Sequence, residues 1–64
     1  MTGEELKAAF LAETPVTANG IEYVKISAII YRKQEGRVAV QAELLDKNRN
    51  SITVTAAASV EAKE

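Results

Sequence analysis

From residue 21 to residue 60 the chain alternates with a period of two. In Ile21–Lys33 the even positions are Glu22, Val24, Ile26, Ala28, Ile30 and Arg32. In Arg37–Asp46 they are Val38, Val40, Ala42, Leu44 and Asp46. In Ser51–Val60 they are Ile52, Val54, Ala56, Ala58 and Val60. Apart from the ends of these runs, every even position is apolar. The odd positions of the last two runs are mostly polar. Residues i and i+2 share one face of a strand, so this is the pattern of antiparallel strands with one dry face.

The turns set the expected register. Gln34-Glu35-Gly36 fits a three-residue hairpin loop ending on a left-handed glycine. It pairs Lys33 with Arg37, Arg32 with Val38, Ile30 with Val40, Ala28 with Ala42 and Ile26 with Leu44. Asn48-Arg49-Asn50 fits the same loop with Asn50 in the left-handed position. It pairs Leu44 with Val54, Ala42 with Ala56 and Val38 with Val60, and sets Arg37 opposite Glu61. In both hairpins even meets even. Asn19-Gly20 is a strong signal for a two-residue turn, pairing Ala18 with Ile21 and Val16 with Tyr23. The long strand that follows is apolar on both faces. Such a strand bends between layers or meets a partner, and Ser27-Ala28 is the expected bend.

Before the strands comes a short helix, Thr2–Glu13. Thr2 and Glu5 have the T-x-x-E spacing of a capping box, and Met1 and Leu6 occupy the hydrophobic-staple positions. Glu4 and Glu5 sit where the helix dipole favours negative charge. Phe10 is the expected anchor. Pro15 forces Thr14 out of helical geometry and ends the helix.

The expected fold is one α+β, mainly β domain over 1–64: a helix at 2–13, a bent antiparallel sheet over 15–60, and a frayed tail at 61–64. The sheet has four strands. A fifth, Ser59-Val60-Glu61, follows if Ala56-Ala57-Ala58 interrupts the last one. Closure into an SH3-like small barrel is expected, with an open four-stranded meander as the alternative.

Composition sharpens this. Of 64 residues, 19 are apolar and larger than alanine. A chain this short has little core as a monomer. It has no Cys and no His, so neither a disulfide nor the usual zinc site can staple it. A homo-oligomer is therefore expected. Net charge is −1, which gives no bulk attraction to nucleic acid or anionic membrane. The lack of cysteine fits a cytoplasmic setting, and no membrane association is expected.

Catalytic chemistry has little to stand on. No His or Cys can activate Ser27, Ser51 or Ser59. Glu43 and Asp46 have opposite parity and so lie on opposite faces. Gly3, Gly20 and Gly36 are scattered rather than gathered into a phosphate-binding loop. No catalytic, cofactor or metal-ligating residue is expected, and the chain does not read as an enzyme.

The segment Gly20-Ile21-Glu22-Tyr23 … Ile26-Ser27-Ala28-Ile29-Ile30-Tyr31-Arg32 … Gln41-Ala42-Glu43-Leu44-Leu45-Asp46-Lys47 … Ser51-Ile52-Thr53-Val54 … Val60-Glu61 resembles short uncharacterised proteins of phages and prophages of Gram-positive gut bacteria. That resemblance implies a cytoplasmic accessory protein of a mobile element. Such proteins act by binding, some as anti-CRISPR-like inhibitors of host defence. The order helix, Asn-Gly hairpin, long bent strand and two hairpin-linked strands also resembles small SH3-like and Sm-like barrels. Val16-Thr17-Ala18-Asn19-Gly20-Ile21 is similar to the Sm-like opening. No second Sm motif follows, so RNA binding does not carry over.

The odd face of the long strand, with Tyr23, Lys25, Ser27, Ile29, Tyr31 and Lys33, is the most informative surface. Ile29, Tyr31, Ala39 and Leu45 are apolar on what should be the wet face. Exposed apolar groups on so small a chain point to a partner. The expected partner or subunit surface is Tyr23, Lys25, Ile29, Tyr31 and Leu45. The alternative is a single-stranded nucleic-acid platform. Tyr23 and Tyr31 would stack on bases, and Lys25, Arg32, Lys33 and Arg37 would meet phosphates. A plainer reading stands beside both: Ile21, Tyr23 and Ile29 pack internally while the lysine stems lie along them.

Overall fold

The computed structural model describes residues 1–63. Helix α1 spans Gly3–Ala12. Six strands follow: β1 Val16–Ala18, β2 Ile21–Tyr23, β3 Lys25–Gln34, β4 Arg37–Leu45, β5 Ile52–Ala56 and β6 Val60–Ala62. A 3-10 turn, Ala57–Ser59, joins β5 to β6. The strands form two antiparallel three-stranded sheets, ordered β2-β1-β6 and β3-β4-β5. Neither sheet closes into a barrel, contrary to the expected SH3-like closure. The expected long second strand is broken at Val24, whose N–H donates to the Leu45 carbonyl at 2.9 Å. Its two halves therefore join different sheets.

The helix begins as its sequence dictates. Thr2 Oγ1 accepts from the Glu5 N–H at 3.2 Å, and Glu5 Oε1 accepts from the Thr2 N–H at 2.9 Å. Glu13 closes the helix in left-handed geometry at φ 55. The Thr14 N–H then bonds back to the Ala9 carbonyl at 3.2 Å, satisfying one of the last unpaired carbonyls. Leu6 rather than Phe10 is the anchor. Leu6 is fully enclosed, while Phe10 only flanks the core.

The core is the meeting place of α1, the first sheet and one end of the second. Leu6 and Ala9 enter it from the helix, and Val16, Ala18, Tyr23 and Val60 from the first sheet. Ile26, Ala42 and Leu44 enter from the second sheet, and Ala57 from the 3-10 turn. The Met1 ammonium donates to the Ala57 and Val60 carbonyls at 2.9 and 2.7 Å, clasping the helix start to the 3-10 turn.

The first hairpin has the expected register, Val16 opposite Tyr23 and Ala18 opposite Ile21. Asn19 and Gly20 both take positive φ, 52 and 80, as a type I′ turn requires. The other two hairpins differ from expectation by one residue each. β3 and β4 are joined by a two-residue turn, Glu35-Gly36, with φ 51 and 79. Gln34 therefore faces Arg37, Lys33 faces Val38, Arg32 faces Ala39, Tyr31 faces Val40 and Ile29 faces Ala42. A bulge between Ile26 and Ala28 absorbs the extra residue, so Ile26 still meets Leu44. It falls at Ser27-Ala28, but the change of layer expected there comes earlier, at Val24; Ser27 Oγ donates to the Glu43 carbonyl at 3.1 Å.

The loop between β4 and β5 is longer than expected because Asp46 organises it. Its Oδ1 accepts from the Asn50 N–H at 3.0 Å and its Oδ2 from Ser51 Oγ at 2.7 Å. Arg49, not Asn50, takes the left-handed position at φ 58. Leu45 then faces Ile52, Glu43 faces Val54 and Gln41 faces Ala56.

The chain end also differs. Glu61 and Ala62 are not frayed but pair with Thr17 and Val16, so Arg37 does not face Glu61. Residue 64 of the expected tail lies outside the described residues.

Candidate interaction surfaces

The second sheet has two unequal faces. Ile26, Ile29 and Tyr31 of β3 share the inner face with Leu44, Ala42, Val40 and Val38 of β4. Helix α1 and the first sheet cover the Ile26–Leu44 end of it, and every fully buried residue of the second sheet lies there. Toward the hairpin tip the cover runs out. Tyr31 is 65% exposed and Val38 59%. Lys7, Phe10, Leu11, Ile29 and Tyr31 line an open groove of about 440 Å³ between the helix and β3.

The outer face carries Lys25, Ala28, Ile30, Arg32 and Gln34 from β3, Arg37, Ala39, Gln41, Glu43 and Leu45 from β4, and Ile52, Val54 and Ala56 from β5. None of these residues is fully buried, and Ile52 and Val54 are 52% and 45% exposed. The polar groups of this face all lie on β3 and β4, and β5 contributes none. Gln41 Oε1 accepts from Arg32 Nε at 2.7 Å.

The expected site residues do not form one surface. Tyr23 is a core residue, 7% exposed, and is unavailable to a partner or a base. Lys25 is held by Glu13 at 2.9 Å. Ile29 and Tyr31 lie on the inner face and Leu45 on the outer. A one-residue slip exchanges the faces of a strand. Tyr31 and Ile29 therefore sit inward, while Ile30, Ile52 and Val54 sit outward where the even-parity reading had buried them. Ile29 and Tyr31 at odd positions beside Ile26 and Ile30 at even ones were the sequence signal that both faces of β3 are apolar.

The nucleic-acid set divides in the same way. Tyr31, Arg32, Lys33 and Arg37 gather at the projecting hairpin tip, Tyr31 and Lys33 on the inner face and Arg32 on the outer. The buried Tyr23 and the paired Lys25 are remote from this use.

Three carboxylates elsewhere on the surface are engaged. Glu22 Oε2 meets Lys63 Nζ at 2.7 Å and Lys47 Nζ at 3.0 Å. These bonds hold its carboxyl below the ordinary value. Lys25 does the same for Glu13, and the Ser51 hydroxyl for Asp46. Among the described residues, no group of three or more His, Cys, Asp or Glu could hold a metal ion. No helix among them is long and apolar enough to cross a membrane.

No protein-family model, curated protein or solved structure matches the chain.

Proposed function

We propose that this chain is a small non-enzymatic binding protein that assembles with copies of itself through the β5 side of the β3-β4-β5 sheet. The observation that carries this is the cluster of Leu45, Ile52 and Val54, adjacent on the outer face where β4 meets β5, which no part of its own chain encloses. A contiguous apolar face of this kind on so short a chain marks an interface. A second copy that joins this sheet sets its own apolar cluster beside the first, which supplies part of the burial that a small monomer lacks. The resemblance to phage and prophage proteins supports a setting in which the assembled protein binds a host factor, in the manner of anti-CRISPR-like inhibitors. Light scattering at tens of micromolar tests the assembly. A dimer or larger species is expected, and Val54→Lys should lower the mass toward that of a monomer with its circular dichroism unchanged. A wild-type monomer at that concentration overturns the reading.

A second reading draws on the hairpin tip, which carries exposed Tyr31 with Lys33 on one face and Arg32 and Arg37 on the other. This is a reduced form of a single-strand platform, with one aromatic and one lysine on the inner face and the two arginines on the outer. Titration of a labelled oligonucleotide at low and moderate salt decides it. Salt-sensitive binding lost in Tyr31→Ala and Arg37→Ala supports it, and no binding at low salt ends it.

A further inference from the structure

We infer that the free edge of β5 pairs with the β5 edge of a second copy, antiparallel about a two-fold axis at Val54, joining two three-stranded sheets into one of six strands. This rests on the self-assembly proposed above and specifies its geometry.

The first observation is chemical. β5 lies at one side of its sheet, and Ser51–Ser59 contains no charged residue and no proline. The other sheet edges carry charge: Lys25, Arg32 and Lys33 on β3, Glu22 on β2 and Glu61 on β6. Exposed edges are ordinarily blunted by charge, proline or a bulge, because their unpaired backbone groups otherwise recruit another strand. The β5 edge has no such guard.

The second observation is the phase of the backbone. The Asp46 N–H donates to the Ser51 carbonyl at 3.1 Å, so these two form a bonded pair. Bonded and non-bonded pairs alternate along an antiparallel ladder. Leu45–Ile52, Glu43–Val54 and Gln41–Ala56 are therefore the non-bonded pairs. The N–H and C=O groups of Ile52, Val54 and Ala56 consequently point away from β4 and toward the open edge.

The third observation is that this edge matches itself. A two-fold axis at Val54 sets Val54 against Val54, Ile52 against Ala56 and Thr53 against Thr55. The outward-pointing residues meet outward-pointing residues, which is what a continuous ladder requires. On the outer face the apolar rows of the two copies adjoin. On the inner face threonine meets threonine, a favourable cross-strand pair. The contact is self-complementary, as a two-fold dimer needs. A ladder of five residues a side buries less than the roughly 1,200 Å² at the low end of stable interfaces, so micromolar association is expected.

Two single variants, Thr53→Cys and Thr55→Cys, test the register. Wild type has no cysteine among the described residues, so each variant offers one thiol. In the proposed dimer, Thr53 and Thr55 of opposite copies are a non-bonded pair with Cα atoms about 4.5 Å apart, within disulfide reach. Two copies of Thr53, or of Thr55, are out of register and too far apart. Mild oxidation of the mixed variants should give a disulfide heterodimer, while each variant alone should give none. A face-to-face dimer would leave these inner-face positions on opposite outsides. Light scattering that shows assembly without the mixed crosslink overturns the edge pairing and leaves self-assembly standing. A wild-type monomer overturns both.

Val54→Pro is a second probe. It removes an N–H that points outward and leaves the β4–β5 bonds intact. It should weaken association by about tenfold or more, since the symmetric contact loses two hydrogen bonds. Wild-type association in a folded Val54→Pro protein also overturns the inference. If that variant does not fold, the crosslinking result decides alone.

Discussion

The two sheets have the same number of strands and opposite uses. Those of the first are three residues long, yet they supply Val16, Ala18, Tyr23 and Val60 to the core. Those of the second run to ten residues and supply only Ile26, Ala42 and Leu44. Length in the second sheet does not increase the core. It carries backbone and apolar side chains beyond what helix α1 can cover. The first sheet is therefore a fastening and the second a display, joined where Leu44 and Ile26 meet the helix. The difference shows that strand length and alternation report where a sheet is, not how much of it is buried.

The largest effect should come from that junction. Leu44→Ala is expected to destabilise by about 2–5 kcal/mol, because it opens a cavity in a fully packed site. Val38→Ala, on the same strand and face but near the tip, should change stability by less than about 0.5 kcal/mol. Urea unfolding of the two variants measures both, and equal losses would erase the distinction between the ends of β4.

The two type I′ turns give a smaller and sharper test. Gly20 and Gly36 have nearly the same positive φ, and nothing crowds the space a Cβ would fill at either. Alanine should therefore cost about 1 kcal/mol at each from backbone strain alone. The preceding residues differ: Asn19 tolerates left-handed geometry and Glu35 does not favour it. Glu35→Asn should thus stabilise the second hairpin by about 0.5 kcal/mol. Thermal melts check this, and a destabilised Glu35→Asn would mean that the tip does not hold the two-residue turn in solution.

The smallest effect is electrostatic. Lys63 and Lys47 depress the Glu22 carboxyl. Its folded value lies below its unfolded one, so its contribution is fully present above the unfolded value. That contribution is lost as pH falls through the folded value. Glu5, Glu13 and Asp46 act with the same sign. The melting temperature should fall as pH drops below roughly 4, near the ordinary carboxylate range. Glu22→Gln should make that fall shallower, by little, because exposed pairs are screened.

Much of the fold was legible in the residues. Thr2 and Glu5 specify the helix start, Pro15 its end, and Asn19-Gly20 the first hairpin with its register. The positions of the display surface were not legible, and the reason is physical. Gly36 can close a three-residue loop or sit second in a two-residue turn, and one glycine cannot distinguish the two. Burial could not arbitrate either, since Ile29 and Ile30 make β3 apolar on both faces. In the next loop the side chain of Asp46 outweighs the preference of Asn50 for left-handed geometry. Each choice moved the register by one residue, which was enough to turn Ile52 and Val54 outward and Tyr31 inward.

The bulge at Ser27 has a consequence for how this chain can vary. It separates the part of β3 that fits the core from the part that reaches past it, and it does so by holding one residue out of the ladder. Removing Ser27 would let Ala28 follow Ile26 directly, opposite Glu43, with every later pair and every face unchanged. Removal of Ile30 would have no such slack and would shift the tip by one place. The strand thus has one expansion joint, where its length can change by a codon without turning the display sheet over.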